Sequence, residues 1–184
     1  MEPRGTVVED YLASRCLHLD GDIAAAIRHH RGLAYDGARL PAMVALLRDV
    51  ETNRVCGIHR TWLDHRGGKV ARRMLGRASG AAVKLDPDVA VTQALTIGEG
   101  IETSLAARQL KCGPVWAVGS TGGIRAFPVL PGIEVLNVLG ECDDNGANMR
   151  AIEVTAARWL AAGRELFVYM PPSGDMNDIL TGSR

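Results

Sequence analysis

The sequence predicts an α/β fold, with a parallel sheet and flanking helices in its second half, preceded by a small mixed α+β basic unit. Three observations predict it. Strand-like and helix-like segments alternate from Val89 onward, the pattern of a parallel sheet covered on both faces. Three of those strand-like segments end in acidic residues. The first half, in contrast, is basic and punctuated by glycine. At 184 residues and 47% hydrophobic content the chain is long enough to bury a core. No apolar run approaches the ~20 residues of a membrane span. The N-terminal stretch "MEPRGTVVEDYLASR" carries acids and no apolar signal segment, so a cytoplasmic protein with no membrane partner is expected.

Taken in order, residues 7–31 read as helical. "VVEDYLASRCLHL" and "GDIAAAIRHHR" place apolar residues near the 3.6 period, with Asp20 or Asp22 as a cap. "PAMVALLRDVETNRVCGIHRTWLD" reads as two strands around a polar turn at Glu51–Arg54. "HRGGKVARRMLGRASGAAVKL" is basic and holds one or two short strands. A boundary falls at "LDPDV", Leu85–Val89, dividing residues 1–86 from 87–184. Beyond it, "VAVTQALTIGEG" ends in a strand, "IETSLAARQLK" is a helix, and "PVWAVGSTGG" is a strand running into a glycine turn. "IEVLNVLGE" is the next strand, "ANMRAIEVTAARWLAAG" a long helix closed by Gly163, and "ELFVYMPP" a strand stopped by two prolines.

Cys16, Cys56, Cys112 and Cys142 are 30 or more residues apart, which argues against a zinc ribbon or a disulfide framework. Free, mostly buried thiols are expected. Net charge is zero, yet residues 1–85 hold 14 Lys/Arg against 9 Asp/Glu, and residues 86–184 hold 7 against 12. The imbalance suits the first half to a polyanion and the second to metal ions, or is chance.

Ligands of an open parallel sheet bind beyond the carboxyl ends of its strands. There "LTIG" delivers Glu99, "VLNVLG" delivers Glu141 and Asp143, and "ELFVYM" leads to Asp175, Asn177 and Asp178. Converging carboxylates repel, and a cation relieves them; oxygen ligands without Cys or His suit magnesium or manganese, the ions of phosphate chemistry. Each acid also has a plainer reading. Glu141–Asp144 reads as a solvated turn, Glu99 as an acid near a helix N-terminus, and Asp175 as the cap of a short helix "MNDIL". "GEGIET" lacks the third glycine of a dinucleotide site, and "GSTGG" lacks the lysine of a P-loop.

Glu99-Gly100, the run Glu141-x-Asp143-x-x-Gly146 and the late "GDMNDIL" together resemble the Toprim domain, a Rossmann-like module of bacterial-type primases, type IA and II topoisomerases and some nucleases. "EGIET" before a helix is most similar to phage- and plasmid-borne primase-type proteins. Upstream, "PAMVALLRDVETNRVCGIHRTWLD" and "ARRMLGRASGAAVKL" resemble the basic subdomain of those primases, and "YLASRCL" one of their helical motifs. The likeness spans residues 7–181. It implies catalytic Glu99, Glu141 and Asp143, and metal ligands Glu99, Glu141, Asp143, Asp175 and Asp178. Two departures stand out: Glu141 replaces the first aspartate of an Asp-x-Asp pair, and Thr103 stands where a primase carries an acid.

The resemblance further implies a groove for template and nucleotide lined by Arg60, Lys69, Arg72, Arg73, Arg77 and Lys84, with Gly119 and Ser120 giving a close backbone approach. A solvated basic face is the plainer reading. His59 reads as a phosphate donor or a packed strand residue, and Trp62 as a base-stacking platform or core. The implied activity is magnesium- or manganese-dependent synthesis of short RNA primers on single-stranded DNA from ribonucleoside triphosphates, alongside a helicase or other replication protein. A metal-dependent Toprim nuclease and a non-catalytic nucleic-acid-binding protein are the alternatives. A topoisomerase is not expected, because Tyr11, Tyr35 and Tyr169 are few and poorly placed to supply its nucleophile.

Overall fold

The computed structural model describes residues 1–142 and 145–182. Helix α1 (Val7–Ala13) is capped by Thr6, whose side chain accepts from the Val8 amide. Asp20 caps α2 (Gly21–Ala26) by accepting from the Ile23 amide. The helical expectation for residues 27–31 is overturned: β1 (Ile27–Tyr35) begins directly at the end of α2. Its pairing with β2 (Ala38–Asp49) buries Ile27 completely, and tertiary pairing outweighs the weak helical periodicity of "IRHHR". The expected hairpin follows as β2 and β3 (Val55–Leu63), then β4 (Lys69–Gly76) and β5 (Ala81–Lys84).

The second half alternates as the pattern predicts. A single 3-10 turn (Asp88–Ala90) leads to β6 (Ala94–Gly98), α3 (Ile101–Gln109), β7 (Val115–Ala117) and a short α4 (Thr121–Ala126). Then come β8 (Val135–Leu139), α5 (Ala147–Ala161), β9 (Glu165–Tyr169) and α6 (Met176–Thr181). Strands β7, β6, β8 and β9 are mutually parallel.

One mixed sheet crosses both halves, in the order β4-β3-β2-β5-β7-β6-β8-β9, with β1 also paired to β2. Strand β5 is the splice. It runs antiparallel to β2 through Ala82 and to β7 through Val83. One core lies on the face shared by α1, α3 and α6, uniting Leu12, Met43 and Leu63 with Leu105, Leu139 and Met176. A second core, under α4 and α5, gathers Ile97, Trp116, Val138, Ile152 and Trp159. The four cysteines are free as expected, but Cys16 and Cys142 are exposed rather than buried, because both lie in loops. Among the described residues no helix is long and apolar enough to cross a membrane.

Candidate active site

Strand β6 ends at Gly98 and hands the chain to Glu99. A side chain at Gly98 would place its Cβ 2.6 Å from Ser104 Oγ and 2.9 Å from Leu139 Cδ1, so glycine lets α3 settle against the sheet. Glu99 is only 9% exposed. The Thr121 hydroxyl donates to its Oε2 at 2.6 Å, and Arg72 Nη2 donates to its Oε1 at 3.4 Å. Thr121 opens α4 after the "GST" turn. That turn is tied to Glu99 by the Gly119 amide, which donates to the Glu99 carbonyl at 2.8 Å. Gly119 itself has φ +83°, and a Cβ there would lie 2.7 Å from Met74 Sδ of β4. Ser120 caps α4, its side chain accepting from the Gly123 amide. Both residues therefore shape the turn.

Glu141 follows β8. Its amide donates to Asn148 Oδ1 at 3.0 Å at the start of α5. Asp175 follows β9 and caps α6 in a reciprocal capping box with Asp178, whose carboxylate accepts from the Asp175 amide at 3.0 Å. Asp178 is thus occupied in holding the helix start. The Thr103 hydroxyl joins the acids, lying 3.2 Å from Glu141 Oε1 and 3.0 Å from Asp175 Oδ2. One hydroxyl carries one proton, so it cannot donate to both carboxylates at once. The conflict is relieved if Glu141 holds a proton. Burial, then the charges of Glu99 and Asp175, push its carboxyl up to about 7.

The sequence reading thus finds Glu99, Glu141 and Asp175 on one edge of the sheet. Asp143 lies outside the described residues. Among the described residues no group of three or more His, Cys, Asp or Glu side chains is arranged to hold a metal ion. The donor set, however, is all oxygen, and the mutual repulsion that lifts Glu141 is what a hard cation would relieve. The residues fit a divalent ion in chemistry.

A second carboxylate network flanks the first. Glu102 is 5% exposed, accepts from the Tyr11 hydroxyl and pairs with Lys69 Nζ at 3.0 Å. Burial would raise its pKa, but Lys69 and the Tyr11 hydroxyl overcome this and hold it at about 2. The same contact, on top of burial, pushes the Tyr11 hydroxyl far up. Nearby His59 is 3% exposed and brought down to about 4 by desolvation, against the pull of Glu102. Asn177 ties α6 to the first half, exchanging hydrogen bonds with the Arg15 guanidinium at 3.1 Å and the Arg15 carbonyl at 2.8 Å. Thr103, Thr121, Glu102 and Tyr11 were not picked out as site residues from sequence. Thr103 carried a signal as a departure from the family pattern, with Glu102 one place earlier.

The six expected groove cations do not share one surface. Strand alternation sends Arg72 to the face of α1 and α3, and Arg73 with its cross-strand partner Arg60 to the opposite face; a register shift between Ala71 and Lys69 brings Lys69 back to Glu102, on the Arg72 face. Arg77 is bound to Asp49 and the Ser79 carbonyl in a turn. Lys84 has a side chain only 5% exposed, pairs with Asp88 at 2.6 Å and lies 4.3 Å from the Trp116 ring centroid. Its aliphatic stem and charge serve the core margin. Trp62, 1% exposed, is core.

Residues 1–85 match a family model described as a domain of unknown function, DUF7146, and residues 94–183 match one described as a Toprim domain. No curated protein sequence matches the chain. Among solved structures, the primase fragment of the bacteriophage T7 primase-helicase protein is similar at a TM-score of 0.61 and 18% identity, covering 99% of this chain and 68% of that one. A DnaG primase catalytic domain bound to single-stranded DNA is similar at 0.58 and 16%, covering 100% and 72%. The E. coli primase catalytic core is similar at 0.56 and 16%, covering 98% and 71%. At such identities the likeness is one of fold.

Proposed function

Because the second half of this chain is a Toprim domain carried in a primase-like fold, we propose that the protein is a primase-type nucleotidyltransferase that makes short RNA primers on single-stranded DNA. The observation that carries the reading is the meeting of Glu99, Glu141 and Asp175 at three strand ends, with Arg72 of the other half reaching the same carboxylate edge. Toprim domains bind divalent metals such as magnesium. Here Glu99, Glu141 and Asp175, joined by Asp143, would hold magnesium or manganese. When bound, such ions neutralise phosphate oxygens and help to activate an attacking 3′-hydroxyl.

The chain's own residues prepare that edge. Thr121 fixes the rotamer of Glu99 from one side, and Thr103 holds Glu141 and Asp175 together from another. Arg72 is exposed and held to Glu99 only by a long contact, so it is available to a triphosphate. Burial and the neighbouring charges of Glu99 and Asp175 raise the Glu141 carboxyl to about 7, and a cation held beside it would favour its ionised form. Partners follow from the reading: single-stranded DNA, ribonucleoside triphosphates, and a helicase or other replication protein in the cytoplasm.

The test is incubation with single-stranded DNA, ribonucleotides and magnesium or manganese. Short RNA products that vanish in Glu99→Gln support the proposal. Shortened DNA would instead support a Toprim nuclease. Neither product, with DNA still bound in the absence of divalent ions, would support a non-catalytic binding protein.

A further inference from the structure

The outer face of the antiparallel half-sheet carries a row of cations. Register aligns Arg28 of β1, Val44 of β2, Arg60 of β3 and Arg73 of β4 straight across four strands. Cross-strand partners share a face, so Arg60 and Arg73 stand directly opposite each other, about 5 Å apart at the backbone. Like charges so placed destabilise a sheet. Among the described residues neither has an acidic partner within salt-bridge distance.

Each guanidinium instead lies over a ring. Arg60 sits 4.9 Å from the Trp62 centroid, and Arg73 sits 5.1 Å from the Tyr35 centroid. The two rings touch, with centroids 5.0 Å apart. Arg60 also keeps a buried Nε with no hydrogen-bond partner. Arg60 Nη2 donates to the Met74 carbonyl at 3.4 Å, whereas Arg73 is exposed, and a guanidinium stacked on a ring in that way has in-plane donors available to an anion. This face is opposite the one that Arg72 and Lys69 present to Glu99 and Glu102, so it is separate from the acid edge.

We propose that Arg60, Arg73 and Tyr35 form a second nucleic-acid site, for a single strand running over the outside of the sheet, independent of divalent ions. Tyr35 selects among polyanions, the Trp62 ring beneath Arg60 being buried. Phosphates match the two guanidinium groups and an unpaired base matches Tyr35, whereas an acidic peptide offers no planes to stack. Tyr35 is half-buried at the rim, where an unpaired base reaches its ring and a duplex does not. The site goes beyond the catalytic reading and does not require it.

The experiment is fluorescence anisotropy of a labelled oligothymidylate with the whole chain in EDTA, across a salt titration. Each phosphate contact to a single strand contributes about 0.7 to the salt slope, so R60Q/R73Q should lower the slope by about 1.4 and weaken binding on the order of tenfold. R73K should keep the slope. Tyr35→Leu should weaken binding a few-fold at unchanged slope. An unchanged slope in R60Q/R73Q, equal binding of blunt duplex, or displacement by poly-glutamate as readily as by unlabelled oligonucleotide each overturns the site. Should the double variant not melt cooperatively, photo-crosslinking of a bromodeoxyuridine oligonucleotide to the wild type decides. Adducts in the peptide holding Tyr35 support the proposal, and adducts confined to α3 or α4 overturn it. Loss of primer synthesis in Glu99→Gln with this binding intact separates the two readings.

Discussion

Arg72 and Arg73 are adjacent in the chain and live in different worlds. Arg72 points across the sheet to Glu99, beside a buried histidine and a half-buried ion pair. Arg73 points outward and rests on Tyr35. Residue type is identical and composition cannot tell them apart. The strand's two-residue period separates them, and the neighbours on each face then decide whether a cation serves an enclosed acidic site or an open surface. On the inner face Arg72, though exposed, is coupled to an acid; on the outer face Arg73 rests on a ring with no acidic partner among the described residues.

The contrast breaks most sharply at Glu99. Glu99→Gln should reduce primer synthesis on the order of a thousandfold, worth about 4 kcal/mol, with an unchanged melting temperature. Gel analysis of products beside a thermal melt checks this, and an equal loss of stability would mean that Glu99 is structural. Next comes Lys69→Met, which leaves Glu102 buried without its cation. Glu102 must then take up a proton, and the cost should be about 3 kcal/mol, or roughly 6–12 °C in melting temperature. Urea unfolding at pH 7 measures it directly.

Protonation of His59 should have a similar size. Its folded pKa, about 4, lies below the ordinary 6.5. Between those values the unfolded chain binds a proton that the native chain refuses, so stability falls as pH drops from 6.5 toward 4. The loss should reach about 3 kcal/mol and be largely absent in His59→Leu. A flat stability profile over that range in the wild type would show that the inner face admits the charge. Below it, Glu102 adds a further loss as pH falls through 4.5 toward its folded value of about 2. The smallest effect belongs to the outer face: Arg73→Met should change stability by less than about 0.5 kcal/mol, since the side chain is exposed.

Much of the parallel half was legible, because strand and helix periods differ and glycine and proline punctuate them. The order β6-α3-β7, then β8-α5-β9, follows from the pattern, and the carboxyl-end rule led to Glu99, Glu141 and Asp175. The short α4 was hidden inside a glycine turn. In the first half, "IRHHR" carried too little apolar signal to reveal a strand that exists by pairing with β2. Thr103 and Thr121 gave little warning, since a hydroxyl has no marked pattern until it meets a carboxylate.

By itself the sequence determined the alternation of elements, the acids at the strand ends and the basic character of the first half, because these are set by local periodicity and by charge along the chain. Only the tertiary structure decided that one sheet runs through both halves by way of β5. It also decided that Glu102 ionises readily while Glu141 resists, and that neighbouring arginines part company. Those outcomes depend on which groups lie across a strand or beneath a helix, and Coulomb energies and desolvation follow distance in space rather than separation in sequence.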